Sequence, residues 1–142
     1  MFEPVTSDFA ILSRKVYDVF LDRVVLDNGE LEVRLVTNEG GQDLVLNFFD
    51  TIGLTYMEEC YDSNGGQIIR EEGPVPLVPL SRALNSNTLT FIRNTVPKGF
   101  DETVEDHAHF VVQTRTETLS FVANKSVAFS AASLNRIAEK QA

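Results

Sequence analysis

The tripeptide Asp27-Asn28-Gly29 constrains this chain more than any other feature, because Asn-Gly tolerates the positive φ angles that a two-residue hairpin turn demands. It follows Val24-Val25-Leu26 and precedes Leu31, Val33 and Leu35, which alternate with Glu30, Glu32 and Arg34. A period of two places apolar side chains on one face and charged ones on the other, as a half-buried strand requires. Strands joined by so short a turn must pair antiparallel, since parallel strands need longer crossovers. The alternation extends upstream to Tyr17, where Tyr17, Val19 and Leu21 oppose Asp18, Phe20 and Asp22.

Turn signals divide the rest of the chain into further short segments. Asn38-Glu39-Gly40-Gly41 marks a second turn, after which Leu44-Val45-Leu46 and Phe48-Phe49 predict another strand. Residues 52–61 carry Ile52, Leu54 and Tyr56 on one alternating set and predict a fourth strand, ended by Asp62-Ser63-Asn64-Gly65-Gly66. A short strand is expected at residues 67–70. Pro74, Pro76 and Pro79 each remove a backbone donor, so residues 73–80 are expected to be a connector, in edge or extended structure. Asn85-Ser86-Asn87 offers a side-chain cap to a short helix with Leu89, Ile92 and Val96 on one face, stopped by Pro97-Lys98-Gly99. Residues 109–114 and 118–123 flank Arg115-Thr116-Glu117 and predict a hairpin at the centre of the sheet. Residues 131–142 are helix-compatible, and residues 8–15 fit helix or strand equally. The expected fold is mostly β (α+β): an antiparallel meander, sandwich-like or half-barrel, with one or two short helices. At 142 residues it is expected to form a single domain over residues 1–142.

The net charge of −9 is concentrated in one third of the chain. Between residues 27 and 72 stand eleven acids against only Arg34 and Arg70, while the remaining segments are nearly balanced. Such a field repels nucleic acid and anionic lipid and attracts a basic protein surface. Surface acids also serve solubility alone. No apolar run approaches the roughly 20 residues that span a bilayer. The start Met1-Phe2-Glu3-Pro4 has neither the basic start nor the apolar stretch of a secretory signal, and the one cysteine, Cys60, cannot form an internal disulfide. The expected setting is the cytoplasm.

Few residues suggest chemistry. His107 and His109, two apart in a strand, should share a face beside Glu105 and Asp106, and two imidazoles with a carboxylate form a familiar metal set. A strand entrance is also a natural place for polar residues, and no third His or Cys stands at ligand spacing. Cys60 follows Glu58-Glu59, whose charges disfavour a thiolate, so it is expected to be filler rather than a nucleophile. The acid pairs Glu58-Glu59, Glu71-Glu72 and Glu105-Asp106 point to opposite faces if they lie in strands, which suits solvated edges better than acid–base pairs. Gly40-Gly41 and Gly65-Gly66 lack the lysine and helix of a phosphate-binding loop. The ten phenylalanines are expected in the core. No motif identifies a reaction, so the expected role is non-enzymatic, with no cofactor.

The run Phe49-Asp50-Thr51-Ile52, then Tyr56, Glu59, Leu84-Asn85-Ser86, His109-Phe110-Val111-Val112-Gln113-Thr114 and Ser120-Phe121-Val122-Ala123, resembles a group of small, uncharacterised β-rich bacterial proteins. Some of those are regarded as immunity proteins to polymorphic toxins. The resemblance spans residues 44–123, rests on hydrophobic spacing and a few polar landmarks, and transfers no catalytic site. It implies an immunity-type inhibitor, and the acidic stretch of residues 27–72 makes a basic toxin the expected target. The residues expected to meet such a partner are Tyr56, Glu58, Glu59, Tyr61, Asp62, Glu71 and Glu72, where aromatic area adjoins negative charge. The alternatives are a small-molecule or metal-binding β-sandwich, with His107 and His109 as ligands, and a homo-oligomer joined through sheet edges.

Overall fold

Asn28 and Gly29, at φ 51° and 80°, close a two-residue turn that pairs Asp27 with Glu30 across β2 (Val19–Asp27) and β3 (Glu30–Thr37). Both central residues have positive φ, as the right-handed twist of the flanking strands favours. The computed structural model describes residues 2–38, 43–58, 75–95 and 105–131. Among these residues β4 (Leu44–Phe48) pairs with β3, and β9 (Val127–Ala131) pairs with β4, giving a four-stranded sheet in the order β2-β3-β4-β9. The second sheet has the order β1-β6-β7-β8-β5, built from β1 (Glu3–Pro4), β5 (Ile52–Glu58), β6 (Leu80–Ala83), β7 (His107–Gln113) and β8 (Glu117–Asn124). Every strand pair is antiparallel.

The two sheets face one another as a sandwich, without closing into a barrel. Leu31, Val33 and Leu35 of β3 point at Phe110, Val112 and Phe121 of the opposing sheet, so the alternation legible in β3 becomes the wall of one shared core. At its centre Phe48 meets Phe110 and Phe121 with ring centroids 5.1 and 4.6 Å apart, in tilted and edge-to-face geometries that suit aromatic quadrupoles. The chain crosses between sheets at tight corners. From β4 to β5 it passes through Asp50 at φ 54°, and from β8 to β9 it passes through Lys125-Ser126, where the Ser126 N–H donates to Asn124 Oδ1. Backbone bonds from Thr51 N–H to Gly29 O and from Asn124 N–H to Phe49 O, both 2.8 Å, tie those corners together.

The outer face of the five-stranded sheet is also covered. The helix α1 (Asn87–Thr95) lays Leu89 and Ile92 on Val122, and Phe2 packs with Ala83 and Val111. β7 is therefore buried on both faces, which suits its consecutive apolar residues Phe110-Val111-Val112. No helix among the described residues is long and apolar enough to cross a membrane.

Several expectations change in detail. Residues 8–15 are neither regular helix nor strand: Ala10–Ser13 forms one 3-10 turn and buries Ile11 and Leu12. Tyr17 lies in a second 3-10 turn, Val16–Asp18, so the strand starts two residues later than its pattern suggested. The proline-rich connector gives way at Leu80 to the paired strand β6, and Ala131 ends strand β9, not a helix. Not every phenylalanine is core, since Phe91 on the solvent side of α1 is 68% exposed. Glu39, Gly40 and Gly41 of the second turn, the strand at 67–70, Cys60, Val96 and the segment 132–142 lie outside the described residues.

Candidate functional site

β5 pairs only with β8 among the described residues, and most of its side chains are exposed. A register shift between Ile52 and Thr55, where Gly53 takes φ 67°, bulges the strand and blunts its edge. Beyond the bulge Tyr56 lies opposite Leu119 and Glu58 opposite Glu117. Directly opposed residues share a face. Leu119 belongs to the core, so Tyr56 and Glu58 both stand on the inward side of the sheet, at its open margin.

There Tyr56, 49% exposed, meets Leu21, Asp22, Arg23 and Val24 of the other sheet's edge strand, across a cleft of about 290 Å³ that Glu117 also lines. A neighbouring cleft of about 190 Å³ includes Glu58, Glu117, Tyr17, Leu77 and Arg115. Glu117 is held in place by its neighbours: the Thr114 hydroxyl donates to Oε2 at 3.0 Å and the Thr116 hydroxyl donates to Oε1. Arg115 lies over the Phe20 ring at 5.8 Å. The sandwich thus presents, along one open seam, two exposed tyrosines and opposed carboxylates from strands about sixty positions apart in sequence.

Of the residues expected to meet a partner, the structure brings Tyr56 and Glu58 together on one side of β5, while Glu59, Tyr61, Asp62, Glu71 and Glu72 lie outside the described residues. Glu117 and Asp22, which share this seam, stand outside the acidic stretch and were not singled out. Only the pairing of β5 with β8 and the facing of β5 and β2 could have found them. The acidic stretch is not uniformly surface, because Asp43 is only 4% exposed.

His107 and His109 share a face of β7, as their spacing predicts, but that face lies under α1 and Phe2, and each is 2% exposed. The His107 Nε2–H donates to the Asp50 carbonyl at 3.0 Å, while its Nδ1 has no partner among the described residues. His109 sits between two hydroxyls, with Nδ1 3.0 Å from Ser86 Oγ and Nε2 2.7 Å from Ser120 Oγ. Ser86 is the helix cap that the sequence suggested, and its Oγ also accepts the Leu89 N–H at 3.0 Å. Glu105 and Asp106 are exposed, and no cluster of three or more His, Cys, Asp or Glu suited to a metal occurs among the described residues. The geometry of His109 is that of a tie between sheet and helix.

Comparison with protein-family models, curated proteins and solved structures found no match to this chain.

Proposed function

We propose that this protein is a non-enzymatic binding module that docks a basic protein partner along the seam between β5 and β2, in the manner of an immunity protein neutralising a basic toxin in the bacterial cytoplasm. The observation that carries this reading is the cross-strand pair Glu58 and Glu117 beside the exposed Tyr56. Two carboxylates on one face of the seam give a basic side chain from a partner a site of complementary charge. The tyrosine supplies apolar area with a hydrogen-bonding tip, the combination on which interface affinity most often rests. The wider negative charge of residues 27–72 would steer such a partner before contact.

The test is capture of a basic protein at low ionic strength, beginning with the product of the adjacent gene, followed by association kinetics. Charge reversal at Glu58 and Glu117 is expected to slow association by about tenfold, with the difference shrinking as salt is raised. Failure to capture any basic protein, or kinetics indifferent to both reversals, sinks the reading.

A further inference from the structure

The opposite margin of the sandwich carries charge where a core-facing side chain should be apolar. Glu3 lies opposite Arg82, Arg82 opposite Phe110, and Phe110 opposite Phe121, so the four form one cross-strand row on a single face of the sheet. Phe110 and Phe121 are fully buried in the core between the sheets. The same row, continued to the sheet margin, therefore turns an arginine and a glutamate toward the opposing sheet. That sheet ends there at β9, whose Val127 and Phe129 pair with the core residues Phe48 and Leu46 and pack on the same core. Between the two margins lies a cleft of about 400 Å³ with Phe110 at its floor and Val5, Val127 and Phe129 among its walls. That volume falls in the range of small-ligand clefts, roughly 300–1,000 Å³.

The charges at its mouth are of mixed sign with a cationic excess. Glu3 approaches Arg82 through Nε at 3.5 Å, while Lys125, in the corner between β8 and β9, enters no ion pair among the described residues. A guanidinium presents several donors in a planar fork that matches a carboxylate, and an ammonium adds a second point of attraction.

We propose that this cleft binds a small amphipathic carboxylate, its apolar tail lying on the partly exposed Val5, Val127 and Phe129 and its carboxylate received by Arg82 and Lys125. The site lies on the margin opposite β5 and does not depend on the protein-binding role proposed for that edge.

Inward-facing charge also guards an open sheet edge against pairing with another chain, and that role needs no ligand. Titration with octanoate, followed by NMR, separates the two, with octanol as the uncharged control. Octanoate is expected to shift the amide resonances of Val5, Lys125, Val127 and Phe129 saturably, below its micelle-forming concentration. Arg82→Gln and Lys125→Gln are each expected to weaken octanoate by about tenfold, the loss of one charge-assisted contact, while leaving octanol unchanged. Lys125 is exposed in a turn, so its variant keeps the test decisive if the Arg82 variant does not fold. The proposal is overturned if octanoate produces no saturable shifts at these residues. It is equally overturned if both variants bind octanoate like the parent, including the case in which Arg82→Gln self-associates with its octanoate affinity intact, which assigns the charges to edge protection alone.

Discussion

The Nε2 of His109 lies 2.7 Å from the Ser120 hydroxyl on the adjacent strand, beneath the helix whose N-terminal cap, Ser86, holds the other ring nitrogen. A neutral imidazole donates through one nitrogen and accepts through the other, so one serine accepts and the other donates. This arrangement satisfies a buried ring on both sides and ties α1 to β7 and β8.

Removing either hydroxyl should expose how much that tie contributes. Ser120→Ala leaves one buried nitrogen short of its partner and is expected to cost about 1–3 kcal/mol. Ser86→Ala loses the helix cap as well, a further ~0.5–2 kcal/mol, so it should be the more damaging of the two. Urea unfolding measures both. A Ser120→Ala midpoint equal to the parent's would show that the 2.7 Å contact contributes nothing to stability.

At the β2–β3 turn the backbone, and not crowding, sets the cost of substitution. A Cβ on Gly29 would meet Asp50 Cα at 3.8 Å and Thr51 N at 3.9 Å, ordinary contact distances, but φ is 80°. Gly29→Ala should therefore destabilise by roughly 1–2 kcal/mol through the left-handed conformation alone. Asn28→Gly, at φ 51°, should be nearly neutral. Thermal unfolding of the two variants checks the contrast.

Aromatic position, and not aromatic count, should decide core energetics. Phe121, fully buried against Phe48 and Phe110, is expected to cost about 3–5 kcal/mol when cut to alanine. Phe91→Ala on the exposed side of α1 should stay within about 0.5 kcal/mol. Equal losses from the two substitutions in denaturant unfolding would contradict the burial described for them.

Charge at the β5–β8 seam should govern binding of a basic partner. Glu58→Gln is expected to weaken capture of such a partner, more at low salt than at high salt, where the field is screened. Equal binding by the parent and the variant at low ionic strength would remove Glu58 from the proposed interface.

Much of the local structure follows from residue pattern. Asn28-Gly29 requires its hairpin, the alternation of Leu31, Val33 and Leu35 selects a core face, and Ser86 announces the helix whose Leu89 and Ile92 are buried. Each of these depends on backbone preference or periodicity within a few residues, which a single chain segment carries in full. Long-range pairing is different, because its energy comes from side chains brought together by the whole core. Nothing near Val127 indicates that this strand completes the sheet beside β4, nor does anything near Glu58 indicate that Glu117 will stand opposite.

The two histidines show the division within a single strand. Their spacing of two placed them correctly on one face, but whether that face met solvent, a metal or a helix depended on where α1 came to rest. Arg82 is the converse case. In sequence it is one charged residue beyond a proline-rich connector, and only the register with Phe110 turns it inward. Sequence alone therefore determined where strands run and how their side chains alternate, since those are local consequences of the pleat. The tertiary structure decided which faces were covered and which charges came to face one another, because burial and cross-strand pairing exist only once distant segments share a sheet.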